Sequence, residues 1–144
     1  MKFYIILGII LFCCLEFSFG QNPPEVVNDS YTVELNSSLD INVTQGLLKN
    51  DTDPDGVNLV IDTFNINGVD YSPGQTATFP EGNITINTDG SFIYNPASAF
   101  EGSTPIILYT TSNGTSAVEG NLSITVTNAL APNAQNDYDT ADIS

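Results

Sequence analysis

The chain has no histidine and no tryptophan, two basic residues, Lys2 and Lys49, and two cysteines, Cys13 and Cys14, that both fall within its first 20 positions. Each scarcity removes a class of function. Without histidine, and without a Gly-x-Ser-x-Gly elbow, the usual parts of nucleophilic catalysis are missing. Paired carboxylates of the kind that hydrolyse glycosides arise by chance in any acidic β domain, so no enzyme is expected. Seventeen acids against two bases, a net charge of −15, repel phosphate backbones and anionic lipid heads; nucleic-acid and electrostatic membrane binding are disfavoured, and a cation is the better partner. With 41% apolar residues in regular alternation, the chain still reads as folded rather than disordered.

Residues 1–20 read as an export signal. Lys2 precedes the apolar run Phe3 to Leu15, and Ser18-Phe19-Gly20 places small residues where a signal peptidase reads them, so cleavage falls before Gln21. The run is short for a membrane span and is followed by Glu16. Neither cysteine follows a small residue, which disfavours a lipid-modified cysteine. The mature chain is then a secreted or cell-surface protein without thiols, and disulfides cannot stabilise it.

The next 108 residues, 21–128, read as one all-β domain. Tyr31, Val33 and Leu35 alternate with Thr32 and Glu34; Leu39, Ile41 and Val43 with Asp40 and Asn42; Leu122, Ile124 and Val126 with Ser123 and Thr125. Between Leu59 and Ile66 the apolar phase shifts, which predicts a bulge or bend. A short helical turn is expected only at Gln45 to Lys49. In NITINTDGSFIYNP a three-residue loop, Thr88-Asp89-Gly90 with Gly90 left-handed, pairs Ile86 with Phe92 and Ile84 with Tyr94 and sends all four to one face; a two-residue turn would split them. A two-sheet antiparallel sandwich is the economical architecture.

Against this background LLKNDTDPDGVNLVI stands out, with Asp51, Asp53 and Asp55 at alternate positions and then Gly56. Two carboxylates ~5 Å apart repel by about 0.8 kcal/mol in water and by more where the dielectric falls. Calcium takes six to eight oxygens in a flexible shell, and alternating aspartates around a sharp turn supply several. The spacing even fits an EF-hand with Asp62 at the twelfth position, but the flanks are β-like, so Asp62 belongs on a wet strand face. The plainer alternative is an Asx-rich turn that binds nothing.

The tail repeats the start. PEVVNDSYT begins at Pro24 and PNAQNDYDT at Pro132, an offset of 132 − 24 = 108 residues; residues 129–144 read as a linker and the truncated start of a second repeat. Asn28-Asp29, Leu48-x-Asn50-Asp51-x-Asp53-Pro54-Asp55-Gly56, Asp89-Gly90-Ser91-Phe92-x-Tyr94-x-Pro96, Phe100-x-Gly102 and Tyr109 together resemble the tandem cadherin-like, immunoglobulin-like repeats of large bacterial surface adhesins. The resemblance implies a seven-stranded antiparallel Greek-key sandwich, calcium binding, and a role in adhesion or extended surface structure. It also implies a ligand set. Asn28 and Asp29 match an Asn-Asp pair ahead of the first strand, Asp53 and Asp55 match an Asp-x-Asp in the loop between the second and third strands, and Asn58 resembles an asparagine offering its carbonyl. With Asp51 from the same loop, these six form the candidate metal site. Val57 and Ser30 stand where the repeats often carry acids, so affinity is expected in the weak range of extracellular modules, about 10⁻⁴ to 10⁻³ M.

Two functional readings follow. One is a calcium-stiffened spacer whose partners are neighbouring repeats of the same protein and a surface ligand of unknown kind. The other is a recognition module for sugar or protein, working through loops such as Gly68 to Phe79. Exposed aromatics discriminate them, and Tyr71 and Phe79 are the residues to inspect.

Overall fold

The computed structural model describes residues 20–128; the leader and the truncated second repeat expected from the sequence lie outside the described residues. Ten strands form, each where the sequence alternates or where turn residues bracket a short run. They are β1 Asp29–Glu34, β2 Leu39–Ile41, β3 Val60–Ile66, β4 Val69–Tyr71, β5 Thr76–Phe79, β6 Gly82–Ile86, β7 Phe92–Pro96, β8 Gly102–Ser103, β9 Ile107–Ser112 and β10 Ala117–Thr127. The only helical element among the described residues is a 3₁₀ turn, Leu47–Lys49, inside the stretch expected to turn.

One sheet has the order β1-β10-β9-β3-β4, with β8 also paired to β10; the other has the order β2-β7-β6-β5. Their inner faces meet as a sandwich. Val33, Ile61, Phe64, Ile66, Ile107, Tyr109, Leu122, Ile124 and Val126 come from the first sheet, Ile41, Ala77, Ile84, Ile86, Phe92 and Tyr94 from the second, and Leu47 plugs one end. Burying each large apolar side chain contributes about 1.5–3 kcal/mol, which is where a thiol-free domain finds its stability.

The hairpin between β6 and β7 has the register expected, Ile84 opposite Tyr94 and Ile86 opposite Phe92, with Gly90 at φ 81. The phase shift in β3 is a bulge. Ile61 pairs with Thr111 and Thr63 with Thr110, so the exposed Asp62 is the extra residue and both Ile61 and Phe64 reach the core. Other details differ from expectation. There are ten strands rather than seven because β4, β5 and β8 are short pieces along the sheet margins. β2 stops at Ile41: the Asn42 side chain accepts the Thr44 N–H (2.9 Å) and hydroxyl (2.6 Å), turning the chain, and Val43 lies 52% exposed. Tyr71 and Phe79 pack inward, stacked on Phe64 (centroids 5.3 Å apart) and on Tyr94 (6.2 Å).

The largest departure from an all-antiparallel sandwich is β1, which pairs with β10 in parallel, Asp29 opposite Leu122 through Glu34 opposite Thr127. A parallel pair requires a long connection, and here the whole domain supplies it. The consequence is geometric. The chain enters beside the β9–β10 turn and leaves at the far end of β10, an 11-residue strand about 35 Å long at 3.2–3.4 Å per residue. Entry and exit lie at opposite poles.

Candidate functional site

At the entry pole an extended strap, residues 21–28, crosses the acidic loop before β1 begins. The loop folds on its own bonds: Asp53 Oδ1 accepts the N–H groups of Asp55 (2.9 Å) and Val57 (3.2 Å), and its carbonyl accepts the Gly56 N–H (2.9 Å). This is an Asx turn, favoured wherever aspartate precedes Pro-Asp-Gly. The remaining oxygens hold the strap. Asp55 accepts the backbone N–H of Asn22 (2.5 Å) and its Nδ2 (3.2 Å); Asp51 Oδ1 accepts the Val27 N–H (2.9 Å). Glu25 and Thr52 exchange two backbone bonds at 2.8 and 3.0 Å.

Below the strap lies a buried pair of carboxylates. Asp51, 8% exposed, takes the Thr111 hydroxyl on Oδ2 (3.0 Å). Asp29, 7% exposed, takes the Tyr109 hydroxyl on Oδ2 (2.8 Å), and that same hydroxyl is 3.1 Å from the Val27 carbonyl. Room for the Tyr109 ring comes from Gly120 on β10, where a Cβ would sit 2.5 Å from the ring. Burial pushes the Asp29 carboxyl above its ordinary range, with the charge of Asp51 adding to it and bonds from Tyr109 and Asn50 opposing. Burial raises Asp51 as well, against bonds from Val27 and Thr111. At the rim, the Asn113 amide holds Asp53 below the usual carboxylate range. The same amide, on a residue 7% exposed, donates to Asp53 Oδ2 (2.7 Å) and the Asn22 carbonyl (2.9 Å) and accepts from Thr115 (3.0 Å) and Ser116 (2.8 Å).

The six candidate ligands therefore separate into groups. Asp29 and Asp51 are buried within electrostatic reach of one another; Asp53 and Asp55 sit at the rim. Asn28 points elsewhere, its Oδ1 accepting the Asn121 N–H (2.9 Å). Asn58 is exposed and lines an open cleft of about 390 Å³ shared with Lys49, Asp51, Asp53, Val57 and Asp89. Among the described residues no group of three or more His, Cys, Asp or Glu side chains is arranged to hold a metal. In chemistry the donors fit a hard cation, being all oxygens. In position the best fit is Asn50: its Oδ1 is buried with no hydrogen-bond partner, and its side chain also bonds Asp29. Sequence reading named Asn50 only as part of the resemblance motif and not as a ligand, and gave Thr111 and Asn113 no place at this pole. Nothing in the spacing of the latter two points to this pole, since they arrive on β9 and the turn after it.

Residues 21–128 match the family profile of the bacterial cadherin-like domain. No curated protein matches the chain. Among solved structures, a nucleoside hydrolase-related hypothetical protein from Saccharophagus degradans that is associated with carbohydrate metabolism is similar at 16% identity and a TM-score of 0.47. That similarity covers 74% of this chain and 26% of the other, so the chain spans about a quarter of that protein's length. A likeness this low carries no argument about function. No helix among the described residues is long and apolar enough to cross a membrane.

Proposed function

The chain belongs to the bacterial cadherin-like domain family, and from that premise we propose that it serves as a structural, adhesion-type repeat outside the cell, stiffened at its entry pole by weakly bound calcium. The observation that carries the reading is the parallel pairing of β1 with β10. It makes the chain enter and leave at opposite poles, the arrangement that lets copies follow one another as a rod. Export by the 20-residue leader and a second repeat after residue 128 belong to the same proposal. The recognition reading loses its support, because Tyr71 and Phe79 are half-buried against the core.

Asp29, Asp51 and the unpartnered Asn50 Oδ1 would hold the ion, with Asp53 and Asp55 at the rim. The charge it supplies would relieve two carboxylates that burial disfavours. Because most of these oxygens already accept bonds from the chain's own donors, affinity stays weak. The test is a calcium titration of the full chain against a chelator baseline, followed by thermal melting and calorimetry. With a dissociation constant near ~1 mM, ~10 mM calcium contributes about 1.4 kcal/mol. Asp51→Asn, and Asp53→Asn with Asp55→Asn, should each diminish that gain. Indifference of the unmutated chain to millimolar calcium in both measurements sinks the metal reading.

A further inference from the structure

An asparagine followed by glycine is chemically labile, because no Cβ on the second residue hinders the approach of its nitrogen. That nitrogen attacks the asparagine Cγ, its proton and the side-chain amide nitrogen leave together as ammonia, and water opens the succinimide so formed to aspartate or isoaspartate. The sequence holds two such pairs, Asn67-Gly68 and Asn113-Gly114. Their surroundings differ. Asn67 is exposed in the β3–β4 turn, and among the described residues nothing bonds to its side-chain amide. Asn113 is 7% exposed, and each group the reaction must move is held. Nδ2, which has to leave, donates to Asp53 Oδ2 (2.7 Å) and the Asn22 carbonyl (2.9 Å). Oδ1 accepts the N–H groups of Thr115 (3.0 Å) and Ser116 (2.8 Å). The attacking group, the Gly114 N–H, donates to the Ser112 hydroxyl (3.0 Å).

We propose that Asn113-Gly114 is a guarded deamidation site, kept intact by the closed entry pole and converted once that pole opens. Ring closure in place would sever both bonds of Nδ2 and the bond of the Gly114 N–H, in a side chain that water scarcely reaches. Opening the pole releases all of them. The conversion is also one-way. Aspartate or isoaspartate at position 113 can no longer donate to Asp53 and the Asn22 carbonyl, and it sets a new carboxylate against Asp53, so the strap loses its tie to the β9–β10 turn. The two pairs thus keep different records: Asn67 registers elapsed time, Asn113 the time the pole has spent open. The inference needs neither the metal nor the repeat reading.

Deamidation is slow beside local opening and closing, so its rate at Asn113 reads the population of the open pole. The full chain is incubated in chelator at mildly alkaline pH, with and without denaturant, and sampled over weeks by peptide mapping and mass spectrometry. Asn113 in the folded chain should convert more than an order of magnitude more slowly than in denaturant. Similar rates in the two conditions overturn the guard. Ser112→Ala combined with Asp53→Asn frees the Gly114 N–H and one bond of Nδ2, and should speed the folded-state conversion of Asn113 several-fold while Asn67 keeps its own rate. An unchanged Asn113, or the same acceleration at Asn67, counts against it. Chains converted in denaturant and returned to buffer should melt as low as the Asn113→Asp variant; full recovery of the melting temperature refutes the one-way step. Because calcium is absent, each result leaves the metal reading to its own titration.

Discussion

The domain contains two acidic turns of similar composition, Asp53-Pro54-Asp55-Gly56 in the loop at the entry pole and Thr88-Asp89-Gly90 in the β6–β7 hairpin, and they do different work. The Asp89 carboxylate bonds locally, accepting from the Ser91 N–H (3.0 Å) and hydroxyl (2.6 Å) two residues on. Those bonds hold its carboxyl below the usual range. The acidic loop reaches across the chain instead: Asp51 to Val27 and Thr111, Asp53 to Asn113, Asp55 to Asn22. One turn closes a hairpin. The other ties a strap, a loop and the β9–β10 turn into one pole, and it does so at the cost of burying Asp51 beside Asp29. The same residue types, then, acquire their roles from what the fold brings opposite them.

The contrast breaks most severely at Asn113. Asn113→Asp removes both donors to Asp53 and the Asn22 carbonyl and sets a second carboxylate in their place, which should cost about 3 kcal/mol and lower the melting temperature by roughly 10–20 °C. Asn87→Asp, exposed beside the hairpin turn, is the matched control and should do little. The two glycines give the next comparison. Both are left-handed, Gly56 at φ 72 and Gly90 at φ 81, but an added Cβ meets nothing within 4 Å at Gly56 and lies 2.9 Å from Leu48 Cγ at Gly90. Gly56→Ala should cost about 1 kcal/mol for the conformation alone, and Gly90→Ala about twice that, read from chemical denaturation midpoints.

Acidity gives the smallest effect and the finest distinction. Asp29 and Asp51, raised by burial, contribute stability that is complete below their ordinary pKa of 3.8 and is lost as pH rises through their elevated values. Asp53 and Asp89, lowered, contribute stability present above 3.8 and lost as pH falls through their depressed values. The two sets cross at their common ordinary value of 3.8, so melting temperature in chelator should peak near that pH and decline as pH rises through the elevated values of Asp29 and Asp51, a trend that self-repulsion of the −15 chain reinforces. Asp29→Asn should flatten the upper limb and leave the acid limb in place; a profile that rises steadily to pH 8 would contradict the burial of this pair.

Much of the sandwich was legible because its signals are short-range. Ile84, Ile86, Phe92 and Tyr94 can share a face in only one register once Gly90 takes the left-handed position, and the extra residue at Asp62 follows from the spacing of Ile61 and Phe64. Val43 was misread because a continuing apolar alternation looks like a strand until Asn42 turns the chain. The candidate site was legible in part: Asp51, Asp53 and Asp55 announce themselves by density, and Asp29 joins them in space. Asn28 turns to β10, and Asn113, Thr111 and Tyr109 carry no local mark of their role, since each lies some 60 to 90 residues from the group it binds.

By itself, then, the order of residues determined the class of fold, the hairpin register, the bulge and the presence of an acidic turn, because alternation, glycine and Asx chemistry act between residues a few positions apart. Only the tertiary structure decided that β1 runs parallel to β10 and that the aspartates would clasp the entering chain. Both depend on segments from opposite ends of the domain meeting, and that meeting is governed by burial of the common core rather than by any local preference.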